Sequence, residues 1–118
     1  RDANSVTFIE KEIQPLNILK KNISNLSIQK KTHVINDKIE NIGNWDLKKK
    51  FTIIFMDPPY ADFKFIRNLK ILKKKIIYNN KHIIIIHREK KSVDDLKDLL
   101  TIKIERVYSR SKMIFAKF

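Results

Sequence analysis

The sequence has 118 residues, of which 42% are hydrophobic and 33% charged, a composition that excludes a disordered tail. It contains no cysteine, which excludes a disulfide framework and a thiolate metal site, and no apolar run approaches the ~20 residues of a membrane-spanning helix. The net charge of +13 favours a polyanionic partner. A lysine- and asparagine-rich composition also follows from an A/T-rich coding sequence, so both explanations of the charge stay open.

The first half of the chain predicts two strands separated by a helix. Residues 6–10 are mostly β-branched or aromatic, which indicates a short buried strand. From Ile13 onward, apolar residues recur every three or four positions, and Pro15 lies in the first turn, where a missing N–H costs little. Residues 32–36 predict a second strand. A helical turn over Ile39 and Ile42 and a loop containing Trp45 are expected before residue 50.

The second half predicts further strands alternating with helices. Residues 51–56 form a nearly continuous apolar run, typical of a strand covered on both faces, and residues 65–76 have the spacing of a helix. Residues 82–87 predict an apolar strand, and residues 93–100 a short helix with Ser92 as its N-cap. Residues 102–108 and 112–118 read as a hairpin. This order favours one domain, residues 1–118, with an open and largely parallel α/β sheet that ends in an antiparallel hairpin.

The strongest functional signal is the motif Asp57-Pro58-Pro59-Tyr60, which directly follows the predicted strand 51–56. In open α/β sheets, ligands bind at the carboxyl ends of the strands. The two prolines have fixed φ angles and no N–H donor, so we expect the backbone carbonyls to be held outward. Such a loop suits a planar ring with an exocyclic amine: the ring stacks on Tyr60, while Asp57 and the Pro58 carbonyl accept the amine hydrogens. The alternative is an Asp-Pro turn with a buried tyrosine.

The motif resembles the catalytic motif of the amino-methyltransferases, which use S-adenosylmethionine. Over almost all of its 118 residues, the sequence is similar to one branch in particular, the bacterial 16S ribosomal RNA guanine-N2 methyltransferases of the RsmD type. The similarity is carried by residues 6–11, by a strand closed by Asp37, by the run from Phe55 to Tyr60, and by a final hairpin with Tyr108.

The resemblance implies a Rossmann-like class I methyltransferase sheet and a role for each motif residue. Glu10 would accept hydrogen bonds from the ribose hydroxyls of S-adenosylmethionine, and Asp37 would accept one from the adenine amino group. Asp57, Pro58 and Tyr60 would hold the guanine amine, and Pro59 would shape the loop. The alternatives are that Glu10 is a solvated strand end and that Asp37 caps the next turn.

The sequence departs from the family pattern in its glycines. The family fold begins with a strand and a glycine-rich loop that wraps the methionine part of the cofactor, whereas this sequence has a single glycine, Gly43. The resemblance therefore implies a partial domain in which the first strand, central in the sheet, and the glycine-rich loop are missing. Ser109 also stands where the family has a glycine after the last tyrosine.

The expected reaction is methyl transfer to the exocyclic N2 amine of a guanine in small-subunit ribosomal RNA. The base must be unpaired or extruded for its amine to reach a pocket, and the positive charge would contact phosphates. The substrate is free ribosomal RNA or the small subunit, and we expect a cytoplasmic monomer with no membrane contact and no metal. Two alternatives stay open: a DNA adenine or protein glutamine amino-methyltransferase, and an inactive truncated relative that only binds RNA.

Overall fold

A computed structural model describes residues 2–118 and divides the chain into two compact units, one ending at Ile42 and the other running from Gly43 to Phe118. In the first unit, two strands pair in parallel, with Ile9 opposite Ile35. Its regular elements are β1 (Val6–Ile9), α1 (Ile13–Asn25), a 3-10 turn (Gln29–Lys31) and β2 (Thr32–Ile35). A second 3-10 turn (Ile39–Asn44) follows, and the predicted strand–helix–strand order is confirmed.

The second unit is a four-stranded mixed sheet with one helix. Its elements are β3 (Phe51–Met56), α2 (Lys64–Lys75), β4 (Tyr78–Glu89), β5 (Thr101–Tyr108) and β6 (Ser111–Lys117). The strand order is β3-β4-β6-β5, with β3 and β4 parallel and β6 antiparallel to both of its neighbours. The predicted α/β class and terminal hairpin are confirmed. Among residues 2–118, β1 and β3 belong to separate sheets.

The core of the second unit lies between α2 and one face of the sheet. Phe65 and Leu69 project from α2 against Ile84 and Ile86 of β4, and all four side chains are almost fully buried. The helical spacing of the first pair and the alternate spacing of the second pair are what place them on facing surfaces. None of the helices in residues 2–118 has the length and apolar character that crossing a bilayer requires.

Two strands are less covered than the sequence predicts. In β3, Ile53 and Phe55 are exposed, so the prediction of a strand buried on both faces is wrong. This strand lies at the edge of its sheet, and the α2 core covers only the face that carries Ile54 and Met56. In β1, the predicted buried strand is likewise half-exposed.

The predicted helix over residues 93–100 is wrong, because this segment has no regular structure apart from a turn at residues 97–99. Val93 is 91% exposed, while Leu96, Leu99 and Leu100 are buried in the core. Ser92 is not an N-cap: its hydroxyl donates backwards to the carbonyl of Glu89. The leucine spacing that suggested a helix face instead reflects the burial of a compact turn against the sheet.

Left-handed backbone conformations fall on residues other than glycine. Ile76, which ends α2, has φ 49° and ψ 46°, and Ser109 in the β5–β6 turn has φ 49°. An L-residue in this region costs about 1–2 kcal/mol, and glycine is the usual solution at a helix C-terminus. The glycine-to-serine departure at the hairpin therefore falls at a position whose backbone favours glycine.

We expect Ile76→Gly to raise the free energy of unfolding by about 1 kcal/mol, because a half-exposed β-branched side chain would leave a left-handed position. The control is Lys74→Gly, two residues earlier inside α2, which should lower stability by about 1 kcal/mol. Thermal unfolding of both variants checks the pair. A loss of stability in Ile76→Gly would contradict the assignment of strain to this residue.

Candidate active site

The register of the parallel pair β3–β4 brings Asp57 next to His87. Met56 lies opposite Ile86, so Asp57, which directly follows β3, comes beside His87 of β4 at the carboxyl edge of β3. The Asp57 carboxylate accepts a hydrogen bond at its Oδ1, 2.8 Å from Nδ1 of His87. The Asp57 side chain remains 62% exposed, and its Oδ2 has no hydrogen-bond partner within the described part of the chain.

The four motif residues line one open cleft of about 460 Å³. The structure thus brings together Asp57, Pro58, Pro59 and Tyr60, as the sequence predicts. Tyr60 is 59% exposed, so the alternative of an Asp-Pro turn with a buried tyrosine is wrong. The other lining residues come from the end of β4 and the β5–β6 hairpin: His87, Arg88, Glu89, Arg110 and Ser111.

A buried arginine, Arg88, contacts the loop that carries the motif. Alternate side chains of β4 face the core, and Arg88 is one of them, with a side chain that is only 1% exposed. A buried charge is tolerated when it is paired and hydrogen-bonded. Asp94, 2% exposed, supplies the pair: its two carboxylate oxygens accept from Arg88 Nε at 2.9 Å and Nη2 at 3.1 Å.

The remaining guanidinium donors reach the backbone of the motif. Nη1 of Arg88 lies 3.0 Å from the carbonyl oxygen of Pro59 and 3.5 Å from that of Pro58, and Nη2 lies 3.2 Å from that of Tyr60. With the two bonds to Asp94, these contacts match the five N–H donors of a guanidinium. The guanidinium carbon also lies 4.6 Å from the centre of the Phe65 ring, which favours a cation.

These contacts correct the expectation that the prolines hold the loop carbonyls outward. The carbonyls of Pro59 and Tyr60 point towards Arg88, and the Pro59 oxygen also accepts from the N–H of Asp62 at 2.9 Å. The buried guanidinium needs acceptors, and the loop carbonyls are the ones within reach. The Pro58 carbonyl has the longest of these contacts, so it keeps acceptor capacity for another donor.

Sequence reasoning missed both His87 and Arg88. No sequence motif singles out His87, which the structure pairs with Asp57. The available signal was its place directly after an apolar strand, where parallel neighbours end at one edge. The signal for Arg88 was a charged residue in the inward phase of that same strand. Its partner, six residues later, could be recognised only in the fold.

The two acids predicted to hold the cofactor lie at one edge of the β1–β2 sheet. Oε1 of Glu10 accepts from the N–H of Glu12, where α1 begins, at 2.9 Å. Asp37 accepts at its Oδ1 from the N–H of Lys38 at 2.7 Å and from Nδ2 of Asn41 at 2.6 Å. Asp37 therefore caps the following turn, the alternative that the sequence left open. An ionised carboxylate has several acceptor lone pairs, so these contacts are compatible with ligand binding.

The carboxylates at this edge can accept hydrogen bonds from hydroxyl and amino groups. Carboxylates accept hydrogen bonds from ribose hydroxyls, as in dinucleotide-binding folds. Within residues 2–118, no group of three or more histidine, aspartate or glutamate side chains is arranged to hold a metal ion.

Comparisons with solved structures identify the fold. A proposed methylase from Haemophilus influenzae superposes with a TM-score of 0.79 at 22% identity, covering 97% of this chain and 72% of that one. A proposed methyltransferase, YhhF from Escherichia coli, gives 0.73 at 19% identity, covering 97% and 62%. An rRNA methylase from Streptococcus thermophilus gives 0.66 at 12% identity, covering 96% and 72%. This chain thus spans 62–72% of the length of these three proteins.

The sequence comparison agrees with the structural one. A search of curated proteins finds no significant match. The family described as conserved hypothetical protein 95, which is the RsmD family, matches residues 1–117. Because that match covers almost the whole chain, the chain belongs to this family and has the methyltransferase fold of its structural neighbours.

Proposed function

We propose that this chain transfers a methyl group from S-adenosylmethionine to the exocyclic N2 amine of a guanine in 16S ribosomal RNA. The observation that carries the proposal is the cleft at the carboxyl edge of β3 and β4. There, Asp57 is anchored by His87 through one oxygen and keeps the other exposed, beside the exposed ring of Tyr60.

The cleft residues suit an aromatic amine as the methyl acceptor. Oδ2 of Asp57 accepts one amine hydrogen and the Pro58 carbonyl accepts the other, while the base stacks on Tyr60. These two bonds turn the nitrogen lone pair out of conjugation with the ring. The amine loses a proton once its nitrogen is methylated, and the Asp57 carboxylate is suited to accept it. Such catalysis depends on positioning and electrostatics.

The cofactor residues in this proposal are Glu10 and Asp37, which lie at the ends of neighbouring parallel strands. Glu10 would bind the ribose hydroxyls and Asp37 the adenine amino group. When bound, S-adenosylmethionine supplies an electrophilic methyl group on a sulfonium sulfur.

Ribosomal RNA is the proposed substrate because three observations agree on it. The family resemblance points to 16S ribosomal RNA, one protein of the same fold is named an rRNA methylase, and the net charge of +13 favours a polyanion. We also propose that the protein is a monomer that acts on the RNA or the small subunit in the cytoplasm.

The first test is binding of S-adenosylhomocysteine by isothermal titration calorimetry, with this chain and with the chain extended upstream by its own coding sequence. We expect at least one of the two versions to bind S-adenosylhomocysteine. Glu10→Gln should weaken this binding about tenfold, because a charge-assisted hydrogen bond becomes a neutral one. The glutamine keeps an acceptor for the Glu12 N–H. Glu12→Gln is the matched control. Absence of binding by both versions would contradict the use of this cofactor.

The second test is Asp57→Ala in a methyl-transfer assay on ribosomal RNA. We expect the rate to fall about 100-fold, because one of the two acceptors for the amine is removed. Affinity for RNA should change little, since the substituted side chain binds an amine rather than a phosphate. Asp46→Ala, another exposed aspartate, is the control. If neither the wild type nor the variant transfers a methyl group while both bind RNA, the alternative of an RNA-binding relative is favoured.

The third test separates the stability that Arg88 provides from its hold on the motif loop. Arg88→Met should lower the free energy of unfolding by about 3 kcal/mol, because Asp94 is left as an unpaired buried charge. The double variant Arg88→Met/Asp94→Leu should recover much of that stability, since apolar pairs often replace buried ion pairs well. Denaturant unfolding measures both variants.

Methyl transfer should stay low in the double variant, because the carbonyls of Pro59 and Tyr60 have lost their donors and the loop is no longer fixed. Recovery of the rate together with stability would show that Arg88 acts on stability alone.

A further inference from the structure

A second cleft, of about 470 Å³, adjoins the candidate active site and contains three cationic residues. The turn after β4 contributes Lys90 and Lys91, and the turn of the β5–β6 hairpin contributes Arg110. Ser109 and Glu89 complete its lining. Glu89 and Arg110 line both this cleft and the cleft of Asp57, so the two are continuous at the same edge of the sheet.

The backbone that carries these cations is tied together by hydrogen bonds. The N–H of Lys90 donates to the carbonyl of Arg110 at 2.8 Å, which joins the two turns directly. The carbonyl of Glu89 accepts from both the N–H and the hydroxyl of Ser92, and Nζ of Lys112 donates to the Ser92 carbonyl at 2.6 Å. The cationic side chains therefore project from a fixed backbone.

The charged groups of Lys90, Lys91 and Arg110 have no partner among the described side chains. Within residues 2–118, none of the three forms an ion pair or a side-chain hydrogen bond. By contrast, the ammonium groups of Lys73 and Lys75 donate to backbone carbonyls. The three cations are thus available to bind an anion, and the carboxylate of Glu89 is the one negative charge in the lining of this cleft.

We propose that Lys90, Lys91 and Arg110 bind a backbone phosphate of the RNA strand whose guanine enters the Asp57–Tyr60 cleft. The proposal rests on the function proposed above and names the contact that holds the strand beside its extruded base. A phosphodiester carries one negative charge and two oxygens, which suit a guanidinium and flanking ammonium groups. Because the clefts share Glu89 and Arg110, the bound phosphate lies next to the target nucleotide along the strand.

The test compares two triple variants that each remove three positive charges. Lys90→Gln/Lys91→Gln/Arg110→Gln changes the proposed site. Its control, Lys48→Gln/Lys49→Gln/Lys50→Gln, changes three lysines at the amino end of β3, about 20 Å along that strand from Asp57. The probe is a fluorescein-labelled single-stranded RNA 12-mer with one guanine, and fluorescence anisotropy measures its binding at several KCl concentrations.

We expect the site variant to bind the 12-mer at least tenfold more weakly at low salt than wild type. Its slope of log K against log salt should be smaller by about 0.7, because one lost phosphate contact on a single strand contributes about 0.7. The control should leave the slope unchanged. Glu89→Gln should act in the opposite direction and tighten binding, because it removes the one negative charge of the cleft.

Equal losses in the two triple variants would overturn the proposal, because the contribution would then be diffuse charge. Tighter binding by wild type of a DNA 12-mer of the same sequence would overturn the choice of RNA. Methyl transfer by wild type together with unchanged RNA binding by the site variant would reject the phosphate site and leave the proposed function intact. If the site variant loses RNA binding but wild type neither binds the cofactor nor transfers a methyl group, the phosphate site stands and the proposed function is rejected.

Discussion

The shape of the candidate active site depends on one buried cation. Arg88 lies in the inward phase of β4, so the fold has to satisfy five N–H donors in a nearly water-free environment. Two of them bind Asp94, and the others bind the backbone of the loop that follows β3. The rigidity of the prolines does not by itself determine which way the loop carbonyls point. The hydrogen bonds from the guanidinium orient these carbonyls, and this in turn positions the exposed side chains of the loop.

The parallel register of β3 and β4 has a comparable effect on the chemistry. β3 ends beside the last residues of β4, so Asp57, which follows β3, and His87 of β4 meet at 2.8 Å. The antiparallel return of β6 places the Ser109–Arg110 turn at the same edge, because Ser111 pairs with Glu89. The loop after β3, the end of β4 and the β5–β6 turn thus bring a carboxylate, an aromatic ring and a group of cations to one edge of the sheet.

Glu10 and Asp37 show how a structural and a functional role can share one side chain. Each accepts backbone or side-chain donors from the turn that follows its strand, which fixes the orientation of its carboxylate. A carboxylate fixed in this way needs no further ordering when a ligand arrives, so its hydrogen bonds lose less conformational entropy. Local capping is therefore compatible with the binding roles that the family resemblance implies for these two acids.

The sequence by itself determined the elements whose signals are local: α1 and α2 from their apolar spacing, the terminal hairpin, and the motif at residues 57–60 as the candidate site. Tertiary structure decided which partners those elements meet. The leucines of residues 96–100 pack as a turn rather than a helix, and β3 is covered on one face only, because neighbouring elements and not periodicity set burial. Likewise, nothing local to Arg88 or His87 identifies the loop carbonyls and the carboxylate they bind, since those partners lie in the loop after β3, about 30 residues earlier.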